Sequence, residues 1–264
     1  MTKTILITGA TDGIGLGAAE LLSANGHTIL LHGRNAEKLV AAQKAVAAQG
    51  GSVETYLADL SDLSQVAALA EAVAEKHDHL DALINNAGVL RAPVEVTGAG
   101  LDLRFVVNTI APYLLTQRLW SLLGKDSRVV NISSAAQAPV NLSAMTGQGA
   151  LEAMSAYSQS KLAITMWSRD LAAKHPDGPS ILAVNPGSLL ATKMVKEGFG
   201  MAGSDAGVGA RILVDAATSD KFSGATGQYW DNDIGAFGPP HRDALDLEKC
   251  AEVAAAIDRF LAQV

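Results

Sequence analysis

Short apolar runs alternate with longer amphipathic segments along almost the whole chain, and this alternation limits the fold more than any other feature of the sequence. The apolar runs lie at 4–8, 28–33, 53–58, 82–88, 127–134 and 180–187, with a weaker run at 227–231. Helical patterns occupy 14–25, 36–49, 62–77, about 101–123, about 155–174 and 205–218. Near-continuous apolar strands separated by helices are typical of a parallel sheet covered on both faces. The sequence therefore predicts an α/β, single-domain, doubly wound Rossmann-like fold with a parallel seven-stranded sheet and helices on both faces.

The length of the chain and the lack of a linker within it indicate one domain over residues 1–264. A chain of 264 residues is within what one core can serve, and no linker rich in Pro, Gly or Ser divides it. Two segments, 135–154 and 191–209, show no clear period. Long irregular stretches in a compact α/β domain are usually functional, so we expect substrate loops or a lid there. For 135–154 a tolerated surface insertion is the alternative.

Composition excludes several classes of function. The net charge is −7 and no basic block stands out, which argues against a nucleic-acid partner or an anionic membrane surface. One cysteine, Cys250, cannot form an internal disulfide or a zinc site alone, and His77 and His79 do not share a helix face. No metal site is expected. No secretion signal opens the chain, and no apolar run approaches the ~20 residues of a membrane helix, so we expect a cytoplasmic protein without a membrane span.

The turn between the first strand and the first helix is rich in glycine. It reads "TGATDGIG", with the spacing G-x-x-x-G-x-G. A helix N-terminus attracts phosphate, and glycine lets a phosphate approach the backbone. A strand–glycine turn–helix unit is the context of a dinucleotide site. The predicted cofactor-binding residues of this turn are Gly9, Thr11, Asp12, Gly13, Ile14 and Gly15; a tight turn without a ligand is the alternative.

The end of the second strand bears on the choice of cofactor. An acidic residue there usually meets the ribose 2′-OH of NAD, whereas an arginine suits the 2′-phosphate of NADP. Here Gly33 stands in that place and Arg34 follows, which favours NADP(H) over NAD(H). The Asp12 carboxylate in the phosphate turn would repel the phosphates of the cofactor, which weakens this preference for NADP(H). An ordinary surface arginine is the alternative for Arg34.

Tyr157 and Lys161 stand four residues apart in a helical pattern, which places both side chains on one face. A free tyrosine is a poor acid or base at neutral pH because its pKa is about 10. A neighbouring ammonium favours the phenolate and lowers that pKa. The pair therefore predicts a general acid/base, with a helical surface pair as the alternative.

Further polar residues follow the strands that end near this pair. Ser133 and Ser134 end one strand and "NNAG" (85–88) ends another, at the carboxyl edge where open α/β sheets bind ligands. Asn108 is a polar residue in a long apolar helix pattern, and buried polar groups need partners. We expect Asn108 to bond backbone or water near the site.

Together these motifs resemble the short-chain dehydrogenases/reductases. The resemblance covers nearly the whole chain, through "TGATDGIG", "ADL" (58–60), "NNAG", Asn108, "NISS", Y-x-x-x-K and "NPG" (185–187). It implies a single-domain Rossmann-like fold, an NAD(P) cofactor, and hydride transfer between the nicotinamide and an alcohol or carbonyl carbon. It also implies roles for particular residues.

By this resemblance, Tyr157 would donate or accept the substrate proton. Lys161 would lower the pKa of Tyr157 and bond the nicotinamide ribose. Ser134 would orient the substrate oxygen, and Asn108 would hold a water in a proton relay. The remaining cofactor contacts would come from Asp59 and Leu60 beside the adenine, Asn86, Ala87 and Gly88 near the adenosine ribose, and Pro186, Gly187 and Thr192 at the nicotinamide end.

The serine-to-tyrosine gap is longer than in the commonest members. It spans 23 residues from Ser134 to Tyr157, and the extra length is the segment 135–154. With the C-terminal "SGATGQYWDNDIGAFGPP", this resembles the retinol-dehydrogenase-like branch, whose members act on varied, often apolar alcohols and ketones. The resemblance does not name a substrate, and we expect a small apolar alcohol or carbonyl compound. Two alternatives stay open, a catalytically weak NADP-sensing or protein-binding member and a C=C reductase.

A homo-oligomer, dimer or tetramer, is also expected. The segment 110–123 and the face of 160–171 are candidates for a dimer seam, with ordinary core packing as the alternative.

Overall fold

The strands of the described residues form one eight-stranded sheet. The structure is a computed structural model that describes residues 1–188, 190 and 205–263. The strands are β1 (Thr4–Ile7), β2 (Thr28–Gly33), β3 (Ser52–Leu57), β4 (Ala82–Asn85), β5 (Arg128–Ile132), β6 (Ser180–Asn185), β7 (Tyr229–Asp231) and β8 (Ala236–Phe237). Their order is β3-β2-β1-β4-β5-β6-β7-β8. The predicted α/β Rossmann-like fold is confirmed.

The predicted number of seven strands is wrong by one. The first seven strands pair in parallel, and β8 pairs antiparallel with β7. β8 has two residues and directly follows a turn, so it is too short to show any hydrophobic period. The sheet edge that it forms could not be read from the sequence.

Most helices begin where an Asp or Asn side chain caps the first turn. The α-helices of the described residues are α1 (Gly13–Ala24), α2 (Ala36–Ala47), α3 (Leu63–Ala74), α4 (Leu103–Phe105), α5 (Ala111–Arg118), α6 (Leu142–Met145), α7 (Ala153–Lys174), α8 (Ala206–Thr218) and α9 (Leu247–Leu261). The capping residues are Asp12, Asn35, Asp62, Asp102, Asn141, Asp205 and Asp246. Each side chain accepts from an otherwise unpaired backbone N–H of the first turn.

The long helix predicted over about 101–123 is interrupted. Between α4 and α5 the chain makes a π-helical turn, Val106–Ile110, in which Ala111 N–H donates to Val106 C=O. Pro112 follows and has no N–H to give to Asn108 C=O, four residues earlier. A wider turn avoids the clash of the proline ring with that carbonyl, and such turns occur often at functional sites.

The two faces of the sheet are covered by different helices. On one face the core contains residues of α3, α5, α7 and α9, and on the other residues of α1, α2 and α8. The segment 135–154, predicted to be irregular, contains the short helix α6 and the first two residues of α7. Of the segment 191–209, residues 191–204 lie outside the described residues.

The proposed dimer seam is used within the chain itself. The Tyr113 and Trp167 rings meet edge to face with their centroids 5.5 Å apart, and both side chains are buried. The Tyr113 hydroxyl donates to Asp258 Oδ1 of α9 at 2.7 Å, and α9 packs along α7. These residues form ordinary core packing, which was the alternative to a seam. A homo-oligomer stays a prediction.

The described helices were also searched for a membrane span. Over residues 1–188, 190 and 205–263, none combines the length and the apolar character that crossing a bilayer requires.

Candidate active site

The predicted site residues that the structure describes lie at one edge of the sheet. The chain passes from β1 to β2 and β3 on one side of β1, whereas β4 to β8 lie on the other side. Between β1 and β4 the connections diverge, which leaves a crevice outside the carboxyl ends of the strands. The glycine turn follows β1 and "NNAG" follows β4, so these two motifs form the crevice.

Close contact with the β4 loop explains two of the glycines. A Cβ on Gly9 would lie 2.8 Å from Ala87 Cα, and one on Gly15 would lie 2.3 Å from Asn86 Nδ2. Asn86 Nδ2 donates to Thr8 O at 2.8 Å and to Gly9 O at 3.0 Å. Any larger residue would therefore push the two loops apart.

Gly13, like Gly9, also needs to be glycine because of its backbone conformation. Its φ of 56° lies in the left-handed region, where a side chain is strained. The Asp12 carboxylate accepts from Gly13 N–H at 2.9 Å and caps α1. The turn thus directs the first N–H groups of α1 toward the crevice, as a phosphate site requires.

The residues near the predicted 2′-phosphate position include a second cation. Lys38, in the first turn of α2, places Nζ 3.0 Å from Asp12 Oδ2, and both side chains are exposed. Arg34 is exposed at the end of β2. A Cβ on Gly33 would lie 2.4 Å from Thr11 Cγ2, so packing against Thr11 excludes an acidic side chain at this position. The sequence analysis did not single out Lys38, because its approach to Asp12 depends on how α2 packs.

His32 connects the glycine turn to the end of β3, a role that the sequence analysis missed. Its ring is 2% exposed; Nδ1 accepts from Gly9 N–H at 3.2 Å and Nε2 lies 3.0 Å from Ala58 O. Burial lowers its pKa to about 4, although the bond to Ala58 O and the Asp59 charge act in the opposite direction. His32 is therefore neutral and donates through Nε2. A polar residue inside the apolar run "TILLHG" was the signal available in the sequence.

The neutral His32 makes stability depend on pH. Its pKa in the fold, about 4, lies below the ordinary 6.5, so its stabilising contribution is complete above pH 6.5 and is lost as pH falls toward 4. We expect the stability advantage of the wild type over His32→Gln to shrink by about 3 kcal/mol across this range. Urea unfolding at several pH values measures it, with His79→Gln at an exposed histidine as the control. An advantage that stays constant with pH would contradict the assignment.

The predicted adenosine contacts lie next to this connection. Asp59 and Leu60 follow β3; Asp59 Oδ1 accepts from Ser61 N–H at 2.9 Å, and Leu60 is buried. Ala87 N–H donates to Thr8 Oγ1 at 3.1 Å, and Gly88 is exposed at the mouth of the crevice. The structure thus brings these residues to the same edge as the glycine turn.

Tyr157 and Lys161 occupy the first half of α7, with Lys161 Nζ 5.8 Å from the centre of the tyrosine ring. The Lys161 side chain is buried, and Nζ donates to Ile132 O at the end of β5 at 2.7 Å. Tyr157 is partly exposed at the surface of the edge. The pair therefore joins α7 to the carboxyl end of the sheet, and it is not a surface pair.

Burial determines the direction of both pKa shifts. Burial raises the pKa of the Tyr157 phenol, and the interaction with the Ser134 hydroxyl acts against that rise. Burial lowers the pKa of the Lys161 ammonium to about 7. The direction for Tyr157 is opposite to the one that the helical spacing predicts, because the effect of burial outweighs that of the Ser134 hydroxyl.

The two serines after β5 face different ways. Ser133 is buried, with Oγ donating to Lys161 O at 3.0 Å and lying 2.7 Å from Thr165 Oγ1. Ser134 is partly exposed and interacts with the Tyr157 phenol. Strand alternation predicts opposite faces without saying which serine faces the site. The structure places Ser134 beside the phenol.

The backbone of Ser134 is fixed from two sides. Gln137 Nε2 donates to Ser134 O at 2.9 Å, and the Tyr229 hydroxyl donates to the same atom at 3.1 Å. A cavity of about 180 Å³ adjoins this network, with Gln137 and His241 among its lining residues. The cavity therefore lies beside the backbone of Ser134, and the Tyr157 phenol is not among its lining residues.

Asn108 is held by the loop that follows β4. Its Oδ1 accepts from Val89 N–H at 2.8 Å, and Nδ2 donates to Val89 O at 2.9 Å and to Ser160 Oγ at 3.0 Å. The expectation that its side chain bonds backbone near the site is met. Ser160 also donates to Tyr157 O at 2.7 Å, so Asn108 is linked to the helix that carries the tyrosine.

The residues predicted at the nicotinamide end follow β6. Gly187 has a φ of 123°, and its N–H donates to Asn185 Oδ1 at 3.2 Å. Pro186 O accepts from Asn232 Nδ2 at 3.0 Å. Thr192 lies outside the described residues.

Several known proteins are similar to this chain. The family model of short chain dehydrogenases matches residues 3–201. A short-chain dehydrogenase, chyC, of Penicillium rubens is 32% identical over 232 residues, covering 86% of this chain and 85% of that protein. Human retinol dehydrogenase 13 is 34% identical over 193 residues, covering 70% of this chain and 58% of that protein. The alignment with the retinol dehydrogenase therefore leaves about two fifths of that protein unmatched.

Solved structures share the fold. An uncharacterised protein from Mycobacterium paratuberculosis superimposes with a TM-score of 0.81 at 28% identity, over 98% of this chain and 92% of that one. A short chain dehydrogenase from Burkholderia cenocepacia J2315, solved in complex with NADP, gives a TM-score of 0.70 at 25% identity over 87% of this chain and 95% of that one.

Proposed function

We propose that this chain, which belongs to the short-chain dehydrogenase/reductase family and resembles its retinol-dehydrogenase-like branch, is an NADP(H)-preferring oxidoreductase. It would interconvert an alcohol with a ketone or aldehyde. The observation that carries the proposal is the meeting of Ser134, Tyr157 and Lys161 at the edge that also holds the glycine turn. A proton donor and a dinucleotide crevice then lie side by side.

The residues present fit a nicotinamide dinucleotide. The Lys161 ammonium has three N–H donors, and among the described residues its hydrogen-bond partner is the carbonyl of Ile132. A ribose diol offers the acceptors that such a buried donor lacks. The N-terminus of α1 and the exposed cations Arg34 and Lys38 suit the phosphates. When bound, the nicotinamide would supply or accept the hydride.

The state of Tyr157 suits the donation of a proton. Because burial raises its pKa, the phenol is protonated at neutral pH and can donate to the oxygen of a carbonyl substrate. The Ser134 hydroxyl next to it would orient that oxygen. Lys161 would favour the phenolate that remains, when its own proton is bound.

Asn108 supports the return of a proton to Tyr157. Pro112 has no N–H, so the Asn108 carbonyl cannot accept the usual helical bond from the residue four positions later. A water bound there would connect the lysine to solvent. The Asn108 side chain, tied to Val89, keeps this carbonyl in place.

The preference for NADP(H) is supported by two cations rather than one. Arg34 and Lys38 both flank the expected 2′-phosphate, and Lys38 compensates the Asp12 charge that would repel it. We expect Arg34→Ala and Lys38→Ala each to weaken NADPH binding by roughly tenfold or more, as loss of a hydrogen bond to a charged group does. NADH binding should change little. Calorimetric titration with both cofactors measures the ratio.

Asp12→Asn is the matched variant for this prediction. The amide still caps α1 but carries no charge, so NADPH should bind more tightly while NADH is little affected. A preference for NADPH that is unchanged in all three variants would rule out these residues as its source.

The proposed activity is tested directly with NADPH and a panel of aldehydes and ketones, from small to medium size and mainly apolar. Turnover appears as loss of the near-ultraviolet absorbance of NADPH. Analysis of the product separates carbonyl reduction from reduction of a C=C bond. Binding of NADPH with no turnover on any carbonyl would favour the sensing alternative. A small apolar substrate, a homo-oligomer and a cytoplasmic location stay predictions.

A further inference from the structure

The turn between β7 and β8 reaches across to the segment that follows β6. Asn185, the last residue of β6, pairs with Asp231, the last residue of β7. The turn then continues through Asn232 and Asp233, beside residues 186–188. Two segments far apart in sequence thus meet at the carboxyl edge of the sheet.

Asp233 is the centre of these contacts. Its Oδ1 accepts from Ser188 N–H at 2.8 Å, and its Oδ2 accepts from Ser188 Oγ at 2.5 Å and from Asn185 Nδ2 at 2.9 Å. Burial acts to raise the pKa of Asp233, but these hydrogen bonds outweigh it and lower the pKa. The ionised carboxylate therefore binds three donors of one segment.

The neighbouring residues complete the contact. Asn185 Nδ2 also donates to Asp231 Oδ1 at 2.8 Å, while Asn185 Oδ1 accepts from Gly187 N–H. Asn232 Nδ2 donates to Pro186 O. Every residue from 185 to 188 is therefore held, directly or through Asn185, by the β7–β8 turn.

Asp233 contributes little to the core. The residue is exposed, and its side-chain contacts fall on Asn185 and Ser188 rather than on either apolar cluster. The sheet itself is held by the separate ladder between β6 and β7. Asp233, with three donors bound to its carboxylate, therefore fixes the shape of the 185–188 segment. The stability of the sheet depends on other groups.

We infer that Asp233 is a positioning residue that sets the 185–188 segment for the nicotinamide end of the cofactor. The inference rests on the proposed function, which places Pro186 and Gly187 at that end. Gly187 has a φ of 123°, and its own N–H bonds Asn185. Its neighbours Pro186 and Ser188 are both hydrogen-bonded to the β7–β8 turn. Without Asp233, Ser188 loses both of its bonds to the turn, and the segment is held only through Asn185 and Pro186.

The experiment compares a whole cofactor with the same molecule lacking its nicotinamide. NADPH and 2′-phospho-ADP-ribose are titrated calorimetrically into the wild type and Asp233→Ala, with NADH and ADP-ribose in parallel. We expect Asp233→Ala to weaken binding of the whole cofactors by roughly tenfold, as loss of charge-assisted hydrogen bonds would. Binding of the two fragments should stay within about twofold of the wild type, which is less than one hydrogen bond contributes.

Two further variants keep the test decisive. Asp233→Asn retains the shape of the side chain but places an amide NH₂ against the donors of Asn185 and Ser188. It should therefore behave like the alanine variant. Ile234→Ala changes the next residue of the same turn, whose side chain is 63% exposed, and should bind all four molecules as the wild type does.

The outcomes separate this inference from the proposed function. Equal weakening of whole cofactors and fragments, or no weakening of either, would overturn the positioning role while leaving the function intact. A wild type that binds none of the four molecules would overturn the proposed function and this inference with it. A thermal unfolding midpoint near that of the wild type shows that the variants fold.

Discussion

Tyr157→Phe is expected to abolish turnover while leaving the fold and the cofactor crevice intact. The substitution removes the phenol hydroxyl, whose proton the proposed reaction passes to the substrate oxygen, and leaves the rest of the side chain in place. General acid catalysis contributes about 10²–10⁴-fold, so kcat should fall by that factor on any carbonyl that the wild type reduces. NADPH affinity should change by less than about tenfold, because one neutral hydrogen bond contributes no more.

Tyr229→Phe is the matched control for this prediction. Its hydroxyl donates to Ser134 O, so the variant removes a phenol oxygen from the same neighbourhood without removing the proton donor. We expect a loss of activity that is much smaller than in Tyr157→Phe. If Tyr157→Phe kept full turnover, or if both variants lost activity equally, proton donation by Tyr157 would be wrong.

The sequence predicts most of the framework because the signals for it are local. Each apolar run was short and lay between helical patterns, which indicates a parallel strand. Most of these strands are buried, whereas β3, at the edge of the sheet, is largely exposed. The structure adds a further local feature, an Asp or Asn that caps the first turn of a helix, as at Asp12 and Asn35. The residues that end strands then had to meet at one edge, which is a consequence of parallel topology alone.

The reasons for particular residues were not local. The glycine turn looks like a phosphate site, yet Gly9 and Gly15 are required by contact with Ala87 and Asn86, more than 70 positions away in the chain. The pairing of Lys38 with Asp12 depends likewise on the packing of α2. No single-sequence pattern encodes such contacts, because the partner is chosen by the tertiary fold.

The helix that carries Asn108 shows the same limit. Hydrophobic periodicity predicted one helix over about 101–123, and the change to a π-helical turn leaves that periodicity almost unaltered. Pro112 was the signal, since a proline inside a helical pattern requires an adjustment four residues earlier. The π-helical form of this turn depends on tertiary contacts, such as those of Asn108 with Val89 and Ser160.

Lys161→Met is expected to make the protein more stable and inactive. The Lys161 side chain is 3% exposed, and burial lowers its pKa from the ordinary 10.5 to about 7. The fold therefore disfavours the charged form that the unfolded chain adopts. An apolar side chain of similar length removes this cost, at the loss of one hydrogen bond to Ile132 O.

The sign of the pH dependence follows from linkage. Between about pH 7 and 10.5 the unfolded chain binds more protons at this lysine than the folded protein does, so wild-type stability rises with pH in that window. Below pH 7 the whole cost is present, and above 10.5 it vanishes. We expect Lys161→Met to gain about 3 kcal/mol of unfolding free energy at pH 7, and progressively less toward pH 10.

Urea unfolding between pH 7 and 10 measures this gain, and Lys174→Met provides the control. Lys174 lies on the same helix with a side chain that is 51% exposed and paired with Asp170, so its removal should change stability by no more than about 1 kcal/mol. Lys161→Met should also lose turnover, because the phenolate left on Tyr157 would lack its cation. A variant that is stabilised and inactive identifies a lysine kept for chemistry at the expense of the fold. A variant that is less stable than the wild type at pH 7 would instead make Lys161 a structural residue, bound to β5 through Ile132.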